Sequence, residues 1–328
     1  MLILSRGEVE ALLDLDALVD ALALVMRELS AGTTSMPGRM AAVVADQAAF
    51  LASMLSYAPR VGALSAKLMS VFPRNADGPL PTHQGVIVTF DPATGQPLAL
   101  MDAAYITAMR TAAGSALATR ALSRRDATVM ALLGTGVQAR AHARMIPRVR
   151  RLREIRIAGR DPAKATALAE ELARDLALPA RAVGGYAEAI EGADIVCATT
   201  HSPDPVVRGE WLALGAHVNS VGYNPAGREL DDAAVAGALV IVESREAALA
   251  SFPSGANDLT QPIRDGVIGA DHVGTEIGEV LAGTRPGRES AEQITLYKSV
   301  GVSVQDAAAA ALVLEAARER GVGRRVEL

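Results

Sequence analysis

The segment from Thr128 to Ala139 constrains the possible folds of this chain more than any other part of the sequence. Thr128 to Leu133 has the apolar run of a buried strand, and a helical pattern begins with Val137 and Gln138. Between them, Gly134-Thr135-Gly136 starts a G-x-G-x-x-A pattern. In this context the pattern predicts a strand–turn–helix unit whose backbone N–H groups bind the phosphates of a dinucleotide. An ordinary glycine-containing turn between a strand and a helix is the alternative.

The alternation of strands and helices continues beyond the glycine turn. Asp161-Pro162 supplies an N-cap and a first-turn proline for a helix that extends to Leu176. Further strands are predicted at residues 155–158, 194–198, 217–221 and 239–242. This order predicts a Rossmann-type α/β domain, with a parallel sheet and helices on both faces.

The amino-terminal part begins with a helical pattern. Ser5 and Glu8 form a capping box. Apolar residues then recur at helical spacing from Val9 to Val25, until Gly32 ends the pattern. One helical stretch is therefore expected, which ends at Gly32.

A sheet-rich α+β domain is predicted next. Short apolar runs between residues 40 and 90 are separated by Pro, Gly, Asn and Asp, and residues 91–95 form a turn signal. An Ala-rich helix covers residues 102–122, and a last helix from Ser303 to Arg320 is expected to return to this domain. For 328 residues, two domains are expected. Their predicted bounds are 1–122 with 302–328 for the discontinuous sheet-rich domain, and 123–301 for the Rossmann domain.

Composition excludes several classes of protein. Lys and Arg number 32 against 37 Asp and Glu, a net charge of -5 that argues against a nucleic-acid partner. One cysteine, Cys197, permits no intramolecular disulfide, and no Cys/His cluster has metal-ligand spacing. No apolar stretch reaches the length of a membrane span, and the amino terminus does not resemble a signal peptide. A cytoplasmic protein without a metal or a membrane partner is expected.

The end of the second Rossmann strand selects between the two nicotinamide dinucleotides. Arg160 follows Gly159 there, and its guanidinium can pair with a 2′-phosphate, which slightly favours NADP(H) over NAD(H). Asp161 could instead accept a hydrogen bond from a ribose hydroxyl, or only cap its helix. Thr199 and Thr200 end another strand at the carboxyl edge of the sheet, where dinucleotides bind.

Several short segments form a recognisable set: Arg110-Thr111-Ala112-Ala113, Gly134-Thr135-Gly136-Val137-Gln138, Asn219-Ser220-Val221-Gly222, Arg228-Glu229-Leu230-Asp231 and Lys298-Ser299-Val300-Gly301. Together they resemble the ornithine cyclodeaminase/mu-crystallin family over nearly the whole chain. That family contains cyclodeaminases, alanine dehydrogenases and reductases of cyclic or linear imines. The resemblance implies a Rossmann domain and a sheet-rich domain that binds substrate and forms a homodimer.

The resemblance places substrate-binding and catalytic cations at Arg39, Lys67 and Arg110. An arginine can grip the carboxylate of an imino acid with two hydrogen bonds. A partly desolvated lysine in the apolar strand around Lys67 should have a lowered pKa and exchange protons with the reacting nitrogen. The alternatives are a solvent-facing lysine at a strand edge and arginines on the surface.

The resemblance also implies further contacts with cofactor and substrate. Thr111, Val221, Lys298 and Gly301 belong to the segments that mark the cofactor site, with Thr111 touching a phosphate. Candidate pocket residues are Thr82, His83, Tyr223 and Asp258, although a lone histidine is more often structural and Asp258 has the alternative of capping a turn.

One position departs from the cyclodeaminase pattern. In those enzymes an aspartate acid/base follows the glycine at this strand end, whereas here Tyr223 follows Gly222. A phenol is a poor base near neutral pH, so ring closure on a diamino acid is not expected.

The sequence thus predicts NAD(P)H-dependent reduction of a small α-imino acid, with a dicarboxylic imine such as iminosuccinate among the candidates. In this prediction Arg39 and Arg110 hold the substrate carboxylate, and Lys67 acts as proton donor or electrostatic partner. Two alternatives are a cyclodeaminase that recycles its NAD internally and a mu-crystallin-like protein that binds NADPH and a small ligand.

Overall fold

A computed structural model of the protein describes residues 1–251 and 253–327. The chain forms two compact units. Unit 1 contains residues 1–110, 251–254 and 301–328, and unit 2 contains residues 111–250 and 255–300. The boundary between the two units falls between Arg110 and Thr111. The predicted domain boundary follows residue 122, and the predicted domain bounds stay a prediction.

The regular elements, in chain order, are as follows. The strands are β1 (Leu2–Leu4), β2 (Met40–Val44), β3 (Ala49–Ala58), β4 (Ala63–Val71), β5 (His83–Phe90), β6 (Pro97–Asp102), β7 (Val129–Leu133), β8 (Glu154–Ala158), β9 (Ala180–Ala182), β10 (Ile195–Ala198), β11 (His217–Ser220), β12 (Leu239–Val242), β13 (Thr275–Glu276), β14 (Thr295–Lys298) and β15 (Arg324–Arg325). The α-helices are α1 (Arg6–Leu12), α2 (Leu15–Ser30), α3 (Ala103–Leu122), α4 (Val137–Met145), α5 (Pro162–Leu176), α6 (Tyr186–Ile190), α7 (Asp232–Ala236), α8 (Arg245–Leu249), α9 (Asn257–Arg264), α10 (Ile277–Ala282) and α11 (Ser303–Arg320).

Unit 1 is built on a seven-stranded sheet in the order β15-β1-β6-β5-β4-β3-β2. β1 and β6 run parallel, and the other neighbours are antiparallel. Helix α11 packs across β3, β4 and β5, and α2 packs on α11. The carboxyl-terminal helix therefore closes the core of the unit that the amino-terminal strands begin.

The two faces of this sheet differ in exposure. Side chains of β3 and β4 alternate, so that Met54 and its neighbour Lys67 lie on the buried face beneath α11. The opposite face, called the apolar face below, carries large hydrophobic side chains that are 37 to 47% exposed. These are Leu51, Leu55, Tyr57, Leu68 and Val86.

Unit 2 is built on an eight-stranded sheet in the order β13-β12-β14-β11-β10-β7-β8-β9, and every neighbouring pair is parallel. All residues of β7, β10 and β11 are buried, as expected for strands covered on both faces. The core is made mainly of Ala, Val, Leu and Ile, and Trp211 packs against it. The guanidinium of Arg208 lies 5.3 Å from the centre of the Trp211 ring. The predicted fold class, a Rossmann-type sheet and a second sheet, is confirmed.

The local signals at helix ends fold as expected, with one exception. The capping box of Ser5 and Glu8 begins α1, and Gly321 in the left-handed region ends α11. The expected single amino-terminal helix is wrong, because the backbone is extended at Leu13 and Asp14. The carboxylate of Asp14 then caps α2 by accepting hydrogen bonds from two backbone N–H groups.

Candidate active site

The glycine turn lies at the carboxyl end of β7. Gly134 has a φ of 110°, and an added Cβ would lie 2.9 Å from Oγ1 of Thr199, so both conformation and space require glycine. Gly136 is the N-cap of α4, and no side chain of the described residues caps this helix end. A Cβ on Gly136 would meet nothing within 4 Å. Open space beside uncapped N–H groups fits the phosphates of a dinucleotide.

Residues around the turn add a second indication of a ligand. The buried Oε1 atom of Gln138 has no hydrogen-bond partner among the described residues, and it can accept a hydrogen bond from a ligand hydroxyl or amide. Val137 is 63% exposed, and Thr135 packs against Gly159 at the end of β8. The turn residues predicted to bind cofactor therefore lie together.

At the end of β8, Arg160 and Asp161 have different surroundings. Asp161 caps α5, because its Oδ1 accepts hydrogen bonds from the backbone N–H groups of Ala163 and Lys164. Arg160 is exposed. Of the alternatives for Asp161, the structure therefore shows the helix cap.

Two further candidates in unit 2 lie at the ends of central strands. Thr199 donates its hydroxyl to the carbonyl of Leu133, at the end of β7, and Val221 donates its N–H to Ala198 at the end of β10. Thr111 is buried on α3. Thr199 and Val221 therefore lie at the carboxyl edge of the parallel sheet, and Thr199 lies beside the glycine turn.

Lys298 and Asp258 form a buried ion pair, with 2.8 Å between Nζ and Oδ2. Lys298 also donates to Oγ of Ser220 at 3.0 Å and to the carbonyl of Gly222 at 2.8 Å. These three bonds use all three N–H groups of the ammonium. Lys298 and Asp258 therefore bind other residues of unit 2, and their predicted contacts with cofactor and substrate stay a prediction.

Two of the three cations predicted in unit 1, Lys67 and Arg110, bind the same carboxylate. Oδ2 of Asp306 accepts a hydrogen bond from Nζ of Lys67 at 2.8 Å, and Oδ1 accepts one from Nε of Arg110 at 3.1 Å. All three residues are buried, with relative exposures of 1%, 5% and 1% for Lys67, Arg110 and Asp306. Lys67 is therefore a buried, paired cation, and the alternative of a solvent-facing lysine is wrong.

Burial and charge act in opposite directions on this cluster. Burial lowers the pKa of Lys67 to about 8, against the raising effect of the Asp306 carboxylate, while the charges of Arg110 and Arg39 lower it further. Burial raises the pKa of Asp306, yet the charges of Arg110 and Lys67 outweigh burial and hold that pKa below its ordinary value. Lys67 is thus an ammonium group near neutral pH that can give up its proton more readily than an exposed lysine.

Arg39 and Gly301 lie close to this cluster. The Arg39 guanidinium donates to the carbonyls of Pro253 at 3.1 Å and Gly301 at 2.9 Å. Gly301 has a φ of 76°, and an added Cβ would lie 2.7 Å from Nη1 of Arg110. Glycine at position 301 leaves room for the Arg110 guanidinium, and its predicted contact with cofactor stays a prediction.

Thr82 and His83 lie apart from the Lys67 cluster. His83 pairs with Val71, four residues along β4 from Lys67, and it is exposed. Its Nδ1 is 3.0 Å from Oγ1 of Thr82. His83 lines a different, open groove of about 540 Å³, together with Arg6, Ser70, Gln84 and Asp102. Their assignment to the substrate pocket stays a prediction.

Tyr223 is 36% exposed in the loop that follows β11. This loop is held by the side-chain amide of Asn257, which donates to the carbonyls of Asn224, Pro225 and Gly227. Tyr223 therefore stands at the carboxyl edge of the sheet on a loop that is tied to α9.

Sequence reasoning missed two carboxylates that organise these sites, Asp306 and Glu229. Asp306 is the one acidic residue in the buried first half of α11, where an apolar run makes a charge unexpected. Glu229 belongs to a recognised segment and is 2% exposed. In both cases the available signal was a charged residue among buried neighbours, and such residues need partners.

The described part of the chain contains neither a metal-binding cluster nor a membrane-spanning helix. No group of three or more His, Cys, Asp and Glu side chains there is arranged to hold a metal ion. No helix within residues 1–251 and 253–327 is long and apolar enough to cross a bilayer.

A dinucleotide-type turn on a parallel sheet and a buried lysine–arginine cluster indicate an oxidoreductase. The chain belongs to the ornithine cyclodeaminase/mu-crystallin family, whose model matches residues 1–321. It is 37% identical over 329 residues to the Δ1-pyrroline-2-carboxylate reductase of Bacillus cereus, covering 100% of both chains.

Solved structures agree with this assignment. The Thermococcus litoralis Δ1-pyrroline-2-carboxylate reductase in complex with NADH and L-proline has a TM-score of 0.95 and 37% identity, covering 99% of this chain and 100% of that one. An archaeal alanine dehydrogenase dimer with bound NAD has a TM-score of 0.93 and 32% identity, with coverage of 100% and 99%. The predicted class is confirmed: the chain is an NAD(P)-dependent oxidoreductase acting on C=N or CH–NH2 groups.

The protonation of Lys67 predicts how activity depends on pH. The ammonium form exists below the pKa of about 8, so kcat/KM for reduction should fall as the pH rises through that value. Asp306→Asn removes the negative charge that raises the pKa of Lys67, so this alkaline limb should move to lower pH by about one unit or more.

Lys67→Met should lower kcat by roughly 10²-fold or more, with little change in the Kd for NADH.

The measurement is the pH profile of kcat/KM, with folding checked by circular dichroism. Lys164→Met and Asp91→Asn are matched controls, because Lys164 is exposed, Asp91 is partly exposed, and neither residue is an ion-pair partner of Lys67, Arg110 or Asp306. An alkaline limb that stays in place in Asp306→Asn would show that the limb does not report Lys67.

Proposed function

We propose that this protein reduces a cyclic α-imino acid of the Δ1-pyrroline-2-carboxylate type to the corresponding amino acid, with NADH or NADPH as reductant. The observation that carries the proposal is the buried cluster in which Asp306 binds both Lys67 and Arg110. The comparisons support this choice of substrate, because two of the similar proteins are named as reductases of this imine.

Arg110 is proposed to bind the substrate carboxylate. Its Nε donates to Asp306 and its Nη1 donates to Oε1 of Gln305 at 3.1 Å, which fixes the plane of the guanidinium. A guanidinium fixed in this way is suited to bidentate binding of a carboxylate. Arg39 is proposed to add positive charge to the same region, since its charge already affects the pKa of Lys67.

Lys67 is proposed to supply the proton. Reduction of a C=N bond adds a hydride to carbon and a proton to nitrogen, and a nicotinamide dinucleotide, when bound, would supply the hydride. With a pKa of about 8, Lys67 carries a proton near neutral pH and releases it more easily than an ordinary lysine. Asp306 holds the ammonium in place through the 2.8 Å hydrogen bond.

Tyr223 argues for simple reduction rather than cyclisation of a diamino acid. Deamination of ornithine with ring closure needs a base that takes a proton from the distal ammonium group. A phenol is a poor base near neutral pH, because its unperturbed pKa is about 10. We therefore propose that the diamino acids are not substrates.

For the cofactor, we propose that NADPH is used at least as well as NADH. Asp161 directs its Oδ1 at the N–H groups that begin α5, and capping this helix is a sufficient role for its carboxylate. Arg160 precedes it and is exposed, which suits a cation that pairs with a 2′-phosphate.

We propose that the apolar face of unit 1 binds a second copy of the chain. A contiguous exposed patch of leucine, valine and tyrosine on three neighbouring strands is unusual for a monomer and typical of an interface. One similar protein is described as a dimer, which favours a second copy over another partner. An interface of this kind would be self-complementary about a two-fold axis.

The substrate proposal predicts the outcome of a panel assay. NADH oxidation should be fastest with Δ1-pyrroline-2-carboxylate and slower with iminosuccinate, formed from oxaloacetate and ammonia, or with pyruvate plus methylamine. L-Ornithine with NAD should give no proline by chromatography. Failure to oxidise NADH or NADPH with any α-imino acid would overturn the proposal, and steady proline formation from ornithine would favour the cyclodeaminase alternative.

The cofactor proposal predicts a selective effect of Arg160→Ala. The KM for NADPH should rise by on the order of tenfold, the usual value of a charge-assisted contact, while the KM for NADH changes little. Steady-state kinetics with both cofactors checks this, and Arg151→Ala, another exposed arginine of unit 2, is the control. Equal changes in both KM values would show that Arg160 does not bind the 2′-phosphate.

The dimer proposal predicts a change in mass. Light scattering should give twice the 34.0 kDa of one chain for the unmodified protein. The double variant Leu55→Glu, Leu68→Glu places charges on the apolar face and should give monomers, because buried unpaired charges are costly. Leu214→Glu, at a 70% exposed leucine of unit 2, should leave the dimer intact. A dimeric double variant would exclude this face as the interface.

A further inference from the structure

Glu229 binds two loops at the carboxyl edge of the unit 2 sheet. Its Oε1 accepts hydrogen bonds from the backbone N–H of Thr200 at 2.6 Å and from the Thr200 hydroxyl at 2.7 Å. Its Oε2 accepts from Oγ of Ser220 at 3.0 Å and from the N–H of Gly222 at 2.8 Å. One carboxylate therefore links the segment after β10 to the segment after β11.

The Glu229 carboxylate is supported in turn by Lys298 and Asp258. Lys298 donates hydrogen bonds to Oγ of Ser220 and to the carbonyl of Gly222. These are the same two residues that donate hydrogen bonds to Oε2 of Glu229. Asp258 accepts hydrogen bonds from the backbone N–H groups of Glu229 at 2.7 Å and Leu230 at 3.0 Å. Both the side chain and the backbone of Glu229 are thus fixed by groups on β14 and α9.

Gly222 shows how closely the Glu229 carboxylate approaches the backbone. A Cβ at position 222 would overlap the carboxylate of Glu229 and the carbonyl oxygen of Thr200. The loop that continues to Tyr223 therefore starts from a point where only glycine fits. Its path away from β11 is set by this contact.

The Thr200 side of the arrangement reaches the glycine turn directly. Thr200 follows Thr199, whose Oγ1 and carbonyl oxygen lie within 3.0 Å of the Cβ position of Gly134. Thr199 is bonded through both its N–H and its hydroxyl to the carbonyl of Leu133, the residue before the turn. Movement of the segment at Thr200 would therefore disturb the glycine turn.

We propose that Glu229 is the positioning residue of the dinucleotide site, which holds the loops after β10 and β11 in the geometry that binds the cofactor. This role rests on the proposed function, because it assumes that the nicotinamide dinucleotide binds at this edge of the sheet. Glu229 acts through Thr200 and Gly222 rather than by touching cofactor itself.

The chemistry of the four donors specifies a carboxylate. Two backbone N–H groups and two hydroxyls point at the two oxygens, and an ionised carboxylate only accepts hydrogen bonds. In Glu229→Gln, one oxygen becomes an NH2 group that donates. The backbone N–H of either Thr200 or Gly222 then faces another donor, so one of the two loops loses its attachment.

The test is direct binding of NADH and NADPH to the whole protein, followed by cofactor fluorescence. Glu229→Gln should raise the Kd by on the order of ten- to a hundredfold, the cost of one unsatisfied buried donor. In kinetics, the KM for the dinucleotide should rise more than the KM for the imino acid, because Lys67 and Arg110 in unit 1 are unaltered and only the Tyr223 loop of unit 2 could affect the imino acid. Ser220→Ala removes one hydrogen-bond donor to Glu229 and adds no competing donor. It should therefore raise the Kd for the dinucleotide by about threefold or more, which is less than the rise expected for Glu229→Gln.

Asp194→Asn is the matched control. Asp194 accepts hydrogen bonds from the backbone N–H groups of Thr128 at 2.8 Å and Val129 at 3.0 Å, so it also joins two segments, but at the start of β7. The Asp194→Asn variant should have a lower melting temperature than the unmodified protein and the same Kd for NADH.

The outcomes separate this proposal from the proposed function. A folded Glu229→Gln protein with the unmodified Kd would overturn the positioning role, even if its melting temperature is lower. If Glu229→Gln does not fold, an unchanged Kd in Ser220→Ala would overturn that role instead. An unmodified protein that binds neither NADH nor NADPH would overturn the proposed function itself.

Discussion

The carboxylate of Asp306 accepts hydrogen bonds from Lys67 and Arg110 in a part of unit 1 where these side chains have little contact with solvent. Removal of one partner from a buried ionic group typically costs about 3–5 kcal/mol, because a charge is left without compensation. The three side chains therefore depend on one another. Asp306 lies on α11, whereas Lys67 lies on β4 and Arg110 on α3. The carboxyl-terminal helix therefore completes this charged cluster, and unit 1 needs this late segment of the chain to neutralise its buried cations.

The buried charged cluster of unit 2 contains more carboxylates than cations, whereas the cluster of unit 1 contains more cations than carboxylates. In unit 1 two cations share one carboxylate, which leaves positive charge that suits an anionic substrate. In unit 2 one ammonium, Lys298, stands near two carboxylates, Glu229 and Asp258, and hydrogen-bond donors satisfy the excess negative charge. Burial raises the pKa of Glu229, and Lys298 opposes that effect. The first cluster can attract a ligand, whereas the second is satisfied by the protein and sets the shape of its loops.

The sequence predicted the features that depend on neighbours along the chain. The strand, glycine turn and helix at residues 128–139 and the bounds of α11 follow from local periodicity and caps, and the structure reproduces them. The partners of the charged residues could not be predicted in the same way. Asp306 is 239 residues from Lys67 and 196 from Arg110, so no local pattern joins them. The sequence did not predict the interruption between α1 and α2, because the helical spacing of apolar residues continues across Asp14. The Asp14 carboxylate caps α2 and thereby stabilises a new helix start at this point.

The unusual poverty of aromatic side chains has an optical consequence. The chain contains one tryptophan, Trp211, and it packs against the core of unit 2 beneath the Arg208 guanidinium. Indole emission therefore reports the environment of unit 2 alone, while the amide circular dichroism signal comes from both units. Superimposable melting curves from the two signals would indicate that the units unfold as one cooperative system. Separated curves would give the stability of unit 2 on its own, without any label or truncation.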